Sequence, residues 1–189
     1  MKVQKNKFYQ NNFFLEEIYT LKAKTFMAED VYVLLHTAYS NVKGGLHFAN
    51  IDELILSTNL WQLIYYQDKL VGAVVYKAKQ GLKMVAMAIN HNTTKKIRTL
   101  TKDFLAYLFK KSFSKIWMEV SEAAEKFILK IGGDKFLIPN NYATDLTNKD
   151  IKVYEKDGYH YKREIQGIVK TKIIIGTPKM LSNRQYLTS

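Results

Sequence analysis

Cysteine is absent from the 189 residues, which excludes a disulfide, a thiolate metal site and a cysteine nucleophile. Glycine is missing from the whole stretch between Gly81 and Gly132. No phosphate cradle that relies on glycine for close backbone approach can therefore be built there. No run of about 18 uncharged apolar residues occurs, so no membrane-crossing helix is expected. The first seven residues are basic but lead into no apolar segment, and a secretory signal is not expected either. The chain has no Gly-x-Ser-x-Gly elbow, no Walker loop and no His-Glu-x-x-His helix. His36, His47 and His160 are scattered without ligand spacing, so no metal is expected. These absences suit a cytoplasmic protein.

Acidic residues are also scarce: 17 of them face 29 lysines and arginines, a formal charge of +12. That excess favours anionic partners, whether a nucleotide cofactor, a nucleic acid or an acidic protein surface. It is uneven. Between Lys95 and Lys115 seven cations accompany Asp103 alone, and beyond Glu164 there are four cations and no acid. Hydrophobic residues make up 47%, enough to build a core in one domain with arms. No internal repeat and no low-complexity linker breaks the chain, so no interdomain boundary is expected.

Periodicity supplies an element order. Residues 1–17 read as a basic arm ending in Phe13-Phe14. Residues 18–24 are β-prone, and a helix opens at Ala28-Glu29-Asp30 with Val31, Leu34, Leu35 and Ala38 at helical spacing. It stops near Ser40-Asn41, before Gly44-Gly45. A short helix over 52–56 is capped by Asn50 or Asp52. Strands over 61–66 and 70–77 join through Gln67-Asp68-Lys69 as a hairpin. The nearly continuous apolar run 83–89 predicts a strand buried on both faces. Thr93 or Thr94 caps the next helix, whose apolar stripe is Ile97, Leu100, Phe104 and Leu108. A strand over 114–120, a helix from Ala124 to Gly132-Gly133, a short strand over 136–138, a hairpin over 151–155 and 159–165, and a last strand over 168–175 follow. Residues from 177 onward read as a short tail.

This order, together with Ala124, Phe127, Ile131 and Gly132 in the helix after strand 114–120, resembles the GNAT superfamily of acetyl-CoA-dependent N-acyltransferases over residues 18–176. The resemblance implies an α/β fold with a mixed central β-sheet flanked by helices. It implies acetyl-CoA as cofactor and transfer of an acyl group to an amine. Two positions depart from the family pattern. Where many members carry a tyrosine that protonates the departing thiolate, this chain has Ile128, which has no proton to donate. In place of the glycine-rich phosphate loop it offers Thr93, Thr94, Lys95, Lys96 and Arg98.

The strand-to-helix junction from Asn90 to Arg98 is the expected anion site, because helix N-termini present free N–H groups and a positive dipole end. The resemblance assigns Ala88, Ile89, Thr94, Lys95, Lys96 and Arg98 to the acyl-CoA. For taking a proton from the amine the candidates are Glu119, in its strand on the face of Lys115 and Trp117, and His91, whose ordinary pKa suits proton transfer. Against this stand solvated roles for both. Tyrosines alternate with cations over 154–163, a pattern that can stack on bases or simply pack a sheet. A second reading therefore keeps the GNAT-like fold without catalysis. The chain is then a basic module, phage structural or nucleic-acid-associated, in the host cytoplasm or a virion.

Overall fold

The computed structural model describes residues 4–6, 12–42, 48–79, 82–111, 116–130, 134–135, 138–139, 151–156, 159–165 and 168–175. These form two compact units, residues 1–105 and 106–189, each combining sheet and helix. The stops at Gly44-Gly45 and Gly132-Gly133, Lys115, the Lys156-Gly158 turn tip at 157–158 and the tail lie outside the described residues.

The first unit contains β1 (Gln4–Asn6), β2 (Phe13–Ile18), α1 (Leu21–Tyr39), α2 (Ile51–Ser57), β3 (Leu60–Tyr66), β4 (Lys69–Ala78) and β5 (Leu82–Ile89). All of its neighbouring strands run antiparallel in the order β1-β2-β3-β4-β5. The supposed arm thus contributes two strands. Phe13 is buried and stacks on Phe104, with ring centroids 5.9 Å apart, while Phe14 stacks on Tyr65 at 4.9 Å. The β-prone run 18–24 proves to be the end of a strand and the start of a helix. Thr20 is the reason: its backbone is extended and its hydroxyl accepts from Ala23 N at 3.3 Å. The following Leu-Lys-Ala-Lys are strong helix formers.

At α2 the cap is Asn50, whose Oδ1 accepts from Glu53 N at 2.9 Å, and Glu53 Oε2 reaches back to Ala49 N at 2.6 Å. This is a capping box displaced by one residue. The other end of α2 is closed by a buried cation. Lys24, only 1% exposed, donates its Nζ to the Thr58 carbonyl and lies 5.6 Å from the centre of the Trp61 ring. Trp61 Nε1 donates to Thr58 Oγ1 at 2.6 Å, and that hydroxyl donates to Leu54 O at 2.6 Å. Burial holds the Lys24 ammonium below its ordinary pKa, since desolvation disfavours the charged form.

The β3–β4 connection is the tight turn expected. Gln67 and Asp68 both adopt left-handed backbone (φ 47° and 62°), the conformation that matches strand twist in a two-residue hairpin. A polar chain crosses the sheet toward the far end of this hairpin. Tyr76 Oη donates to Gln62 Oε1 at 2.7 Å, Gln62 Nε2 to Glu17 Oε1 at 2.7 Å, and Tyr19 Oη to Glu17 Oε2 at 2.9 Å. Tyr76 is fully buried; burial first, and Glu17 second, push its phenol upward. Tyr19 is pushed up to about 12 by burial and by the same carboxylate.

Strand β5 is less buried than its composition suggests. Met84, Ala86 and Ala88 are buried, whereas Val85, Met87 and Ile89 are half-buried. The next element, α3 (Lys95–Lys111), buries Thr101, Phe104, Leu105 and Phe109, while Ile97, Leu100 and Leu108 are half-buried. The buried stripe is therefore rotated from the apolar one. Thr101 tolerates burial because its hydroxyl donates to Ile97 O at 2.8 Å. A β-carbon added at Gly72 of β4 would stand 3.2 Å from Thr101 Cγ2, so a glycine lets helix and sheet approach here.

The second unit contains β6 (Ile116–Ser121), α4 (Glu122–Lys130), β7 (Asp134–Lys135), β8 (Ile138–Pro139), β9 (Ile151–Lys156), β10 (Tyr159–Ile165) and β11 (Ile168–Ile175). Strand β11 pairs antiparallel with β6, β7 and β10, and β9 and β10 form the expected hairpin. The side chains of that hairpin lie outside the described residues. Helix α4 is held to β11 by Thr171, whose hydroxyl donates to Glu125 Oε2 at 2.8 Å. No helix among the described residues is long and apolar enough to cross a membrane.

Candidate functional site

The junction between β5 and α3 is stitched together by its own side chains. Asn90 continues the sheet, its N–H donating to Val71 O at 2.9 Å and its Nδ2 to Leu70 O at 3.2 Å. Its Oδ1 accepts from Asn92 N at 2.9 Å, an Asx-turn that reverses the chain. Thr93 Oγ1 donates to Asn90 O at 2.8 Å. Thr94 is the helix cap: its Oγ1 accepts from Ile97 N at 3.3 Å. The residue types that make this turn are Asn, Asn, Thr and Thr, which bond locally and need no glycine.

Arg98 closes the loop from the helix side. Its Nη1 donates to His91 O at 2.9 Å and to Thr93 O at 2.6 Å. The guanidinium thus braces the turn and leaves Lys95 and Lys96, both exposed, as the cations that face solvent. They occupy the first two helical positions, where backbone N–H groups have no acceptor within the helix. Cationic side chains, free N–H groups and the helix dipole coincide in one place. Chemically the junction can receive a phosphate or diphosphate.

The other expected residues are placed as follows. Ala88 is 3% exposed and its side chain belongs to the core, while its backbone faces Ala73 of β4 in the ladder. Ile89 is half-buried beside Gly72 of β4. His91 is exposed at the turn, its carbonyl engaged by Arg98. Ala88, Ile89, His91, Thr94, Lys95, Lys96 and Arg98 are thus gathered at one end of the first unit. Glu119 belongs to the second unit, half-buried on β6, with Lys172 of β11 opposite it in register. On α4, Ile128 is fully buried and serves the core. Among the described residues no group of three or more His, Asp or Glu side chains could hold a metal ion.

One contact near the site was not legible in the sequence. Tyr39, in the last turn of α1, sends its hydroxyl to β5, donating to Met87 O at 2.9 Å and accepting from Met87 N at 3.2 Å. Burial pushes its phenol up, and the bond with Met87 pulls it partly back. The only signal in the sequence is a tyrosine near a helix end, which is too common to single out.

No protein-family model and no curated protein matches the chain. Solved structures do. The ribosomal-protein-S18-alanine N-acetyltransferase of Escherichia coli superposes with a TM-score of 0.51 at 12% identity, covering 86% of this chain and 94% of that one. An N-acetyltransferase of Staphylococcus aureus Mu50 gives 0.50 at 8% identity, covering 85% and 96%. With so little sequence in common the likeness is one of backbone, and it spans nearly the whole of both comparators. The chain shares the backbone fold of these two N-acetyltransferase structures.

Proposed function

We propose that the protein is an N-acyltransferase that moves an acyl group from acyl-CoA, with acetyl-CoA the reference donor, to an amine. The observation that carries this reading is the β5–α3 junction: an internally braced turn that presents Lys95, Lys96 and uncapped helix N–H groups at one place. The chemistry of that donor set fits the diphosphate of CoA. The thioester supplies the activated acyl group. Lys95 and Lys96 hold the phosphates, Thr94 and Arg98 keep the turn in shape, and the backbone at Ala88 and Ile89 lies next along the strand. His91, at the same junction, takes the proton that the attacking amine loses. Ile128 cannot return a proton to the thiolate, so that proton must come from water or from another donor.

Thermal unfolding with CoA and with acetyl-CoA tests the reading. A ligand at about 100 times its Kd stabilises by roughly 2.7 kcal/mol, a rise in Tm of roughly 5–11 °C for a chain of this size. That rise should shrink in Lys95→Ala/Lys96→Ala. No response to either compound at millimolar concentration would discard acyl-CoA as ligand and leave a non-catalytic basic module.

A further inference from the structure

Met87 stands opposite Val74 of β4 in register, yet both of its backbone polar groups are taken by Tyr39. In an antiparallel ladder a residue either exchanges both bonds with its partner or turns both away from it. Met87 does the latter. At this point β5 offers an N–H and a C=O on the side away from β4. A phenol, with one donor and two acceptor lone pairs, satisfies both together. Its two bonds reproduce what two successive amides of an extended chain would make there, the carbonyl of one accepting from the N–H and the N–H of the next donating to the C=O.

We propose that Tyr39 is a displaceable latch: an amide-bearing ligand laid along β5 takes over the N–H and C=O of Met87 and releases the tyrosine hydroxyl. The inference rests on the acyl-CoA reading, because the pantetheine arm of CoA carries two secondary amides between its diphosphate and its sulfur. The latch then gates the same site. Without ligand both polar groups of Met87 are held by Tyr39. Ligand entry costs the Tyr39 bonds, which lowers affinity for every donor that uses this strand and favours those whose amides fit it.

The test compares wild type with Tyr39→Phe, a change that keeps the ring and removes the oxygen. Titrations use CoA and, as an amide-free probe, adenosine 3′,5′-bisphosphate. Tyr39→Phe should bind CoA about fivefold tighter, the factor equivalent to about 1 kcal/mol for one hydrogen bond, and bind the bisphosphate unchanged. Amide exchange at Met87 should be faster in the unliganded variant than in unliganded wild type, and CoA should slow it in both. Equal or weaker CoA binding by the variant, with wild type still binding, overturns the latch and leaves the acyl-CoA reading standing. Failure of wild type to bind CoA overturns both. Unchanged exchange at Met87 on losing the hydroxyl overturns the latch whatever CoA does.

Discussion

Two helix ends in the first unit are served by lysine, and they use it in opposite ways. At the C-terminal end of α2, Lys24 is buried, donates to a carbonyl and lies over the face of Trp61. At the N-terminal end of α3, Lys95 and Lys96 are exposed, beside a dipole end of their own sign. The first arrangement is favourable within the fold, since a cation belongs at a helix C-terminus. The second is mildly unfavourable by the same rule, and an anion bound at that end would offset it. Lysines that count alike in the net charge therefore divide into one that holds the fold and two that face solvent.

Breaking the buried arrangement should have the largest effect. Lys24→Ala strands the Thr58 carbonyl and removes the packed stem, at about 3 kcal/mol, or roughly 6–12 °C in Tm. A fall below about 1 kcal/mol in urea unfolding would mean the ammonium is no part of the core. The same residue sets a pH signature. With its folded pKa held below the ordinary 10.5, the unfolded chain retains a proton over the interval between the two values. The stability linked to Lys24 is thus full above 10.5 and is lost as pH falls through the lowered value. Tyr39 and Tyr76, raised above 10.0, act the other way: their contribution is full below 10.0 and is lost as pH rises beyond it. The difference in urea midpoint between wild type and Lys24→Met, followed through the alkaline range, isolates the lysine; a difference constant with pH would remove the assignment.

Ile128→Tyr comes next. The side chain is fully buried, so the added volume should cost roughly 1–3 kcal/mol with no gain in acyl transfer. Restored turnover with unchanged Tm would place this position in a site after all. Arg98→Ala should cost about 1 kcal/mol, the net worth of bracing bonds to His91 and Thr93, and should weaken CoA binding indirectly. The smallest effect on the fold belongs to Lys95→Ala/Lys96→Ala, within about 0.5 kcal/mol. There the comparison sharpens: CoA affinity should drop and its salt dependence flatten. Equal affinity in the double variant would make the pair a solvated surface.

Much of the architecture could be read from periodicity because the signals were local. The β3–β4 hairpin, the Asn50 cap and the Thr94 cap each depend on residues within four positions of one another. What escaped depends on distance. The strand ending at Ile18 passed for an arm because its partner, β3, is more than 40 residues away, and its phenylalanines find their rings on β3 and α3 only in the folded chain. Thr101 is polar by type yet fully buried, since its hydroxyl finds a carbonyl one turn back. At the site, the cations and the turn were legible, but the inward brace of Arg98 and the reach of Tyr39 to Met87 were not. Neither has a spacing rule that sequence could reveal.

The chain of bonds from Tyr76 through Gln62 and Glu17 to Tyr19 has a bearing on how the sheet assembles. It threads β4, β3 and β2 in turn, at positions where Gln62 faces Glu17 and Val74 across the ladders. Sliding any of these strands by one residue would turn its members to the opposite face and strand a buried phenol without an acceptor. The apolar residues around it are interchangeable enough to accept several alignments; the polar thread accepts one. It acts as a key cut across three strands, matched only by the native alignment.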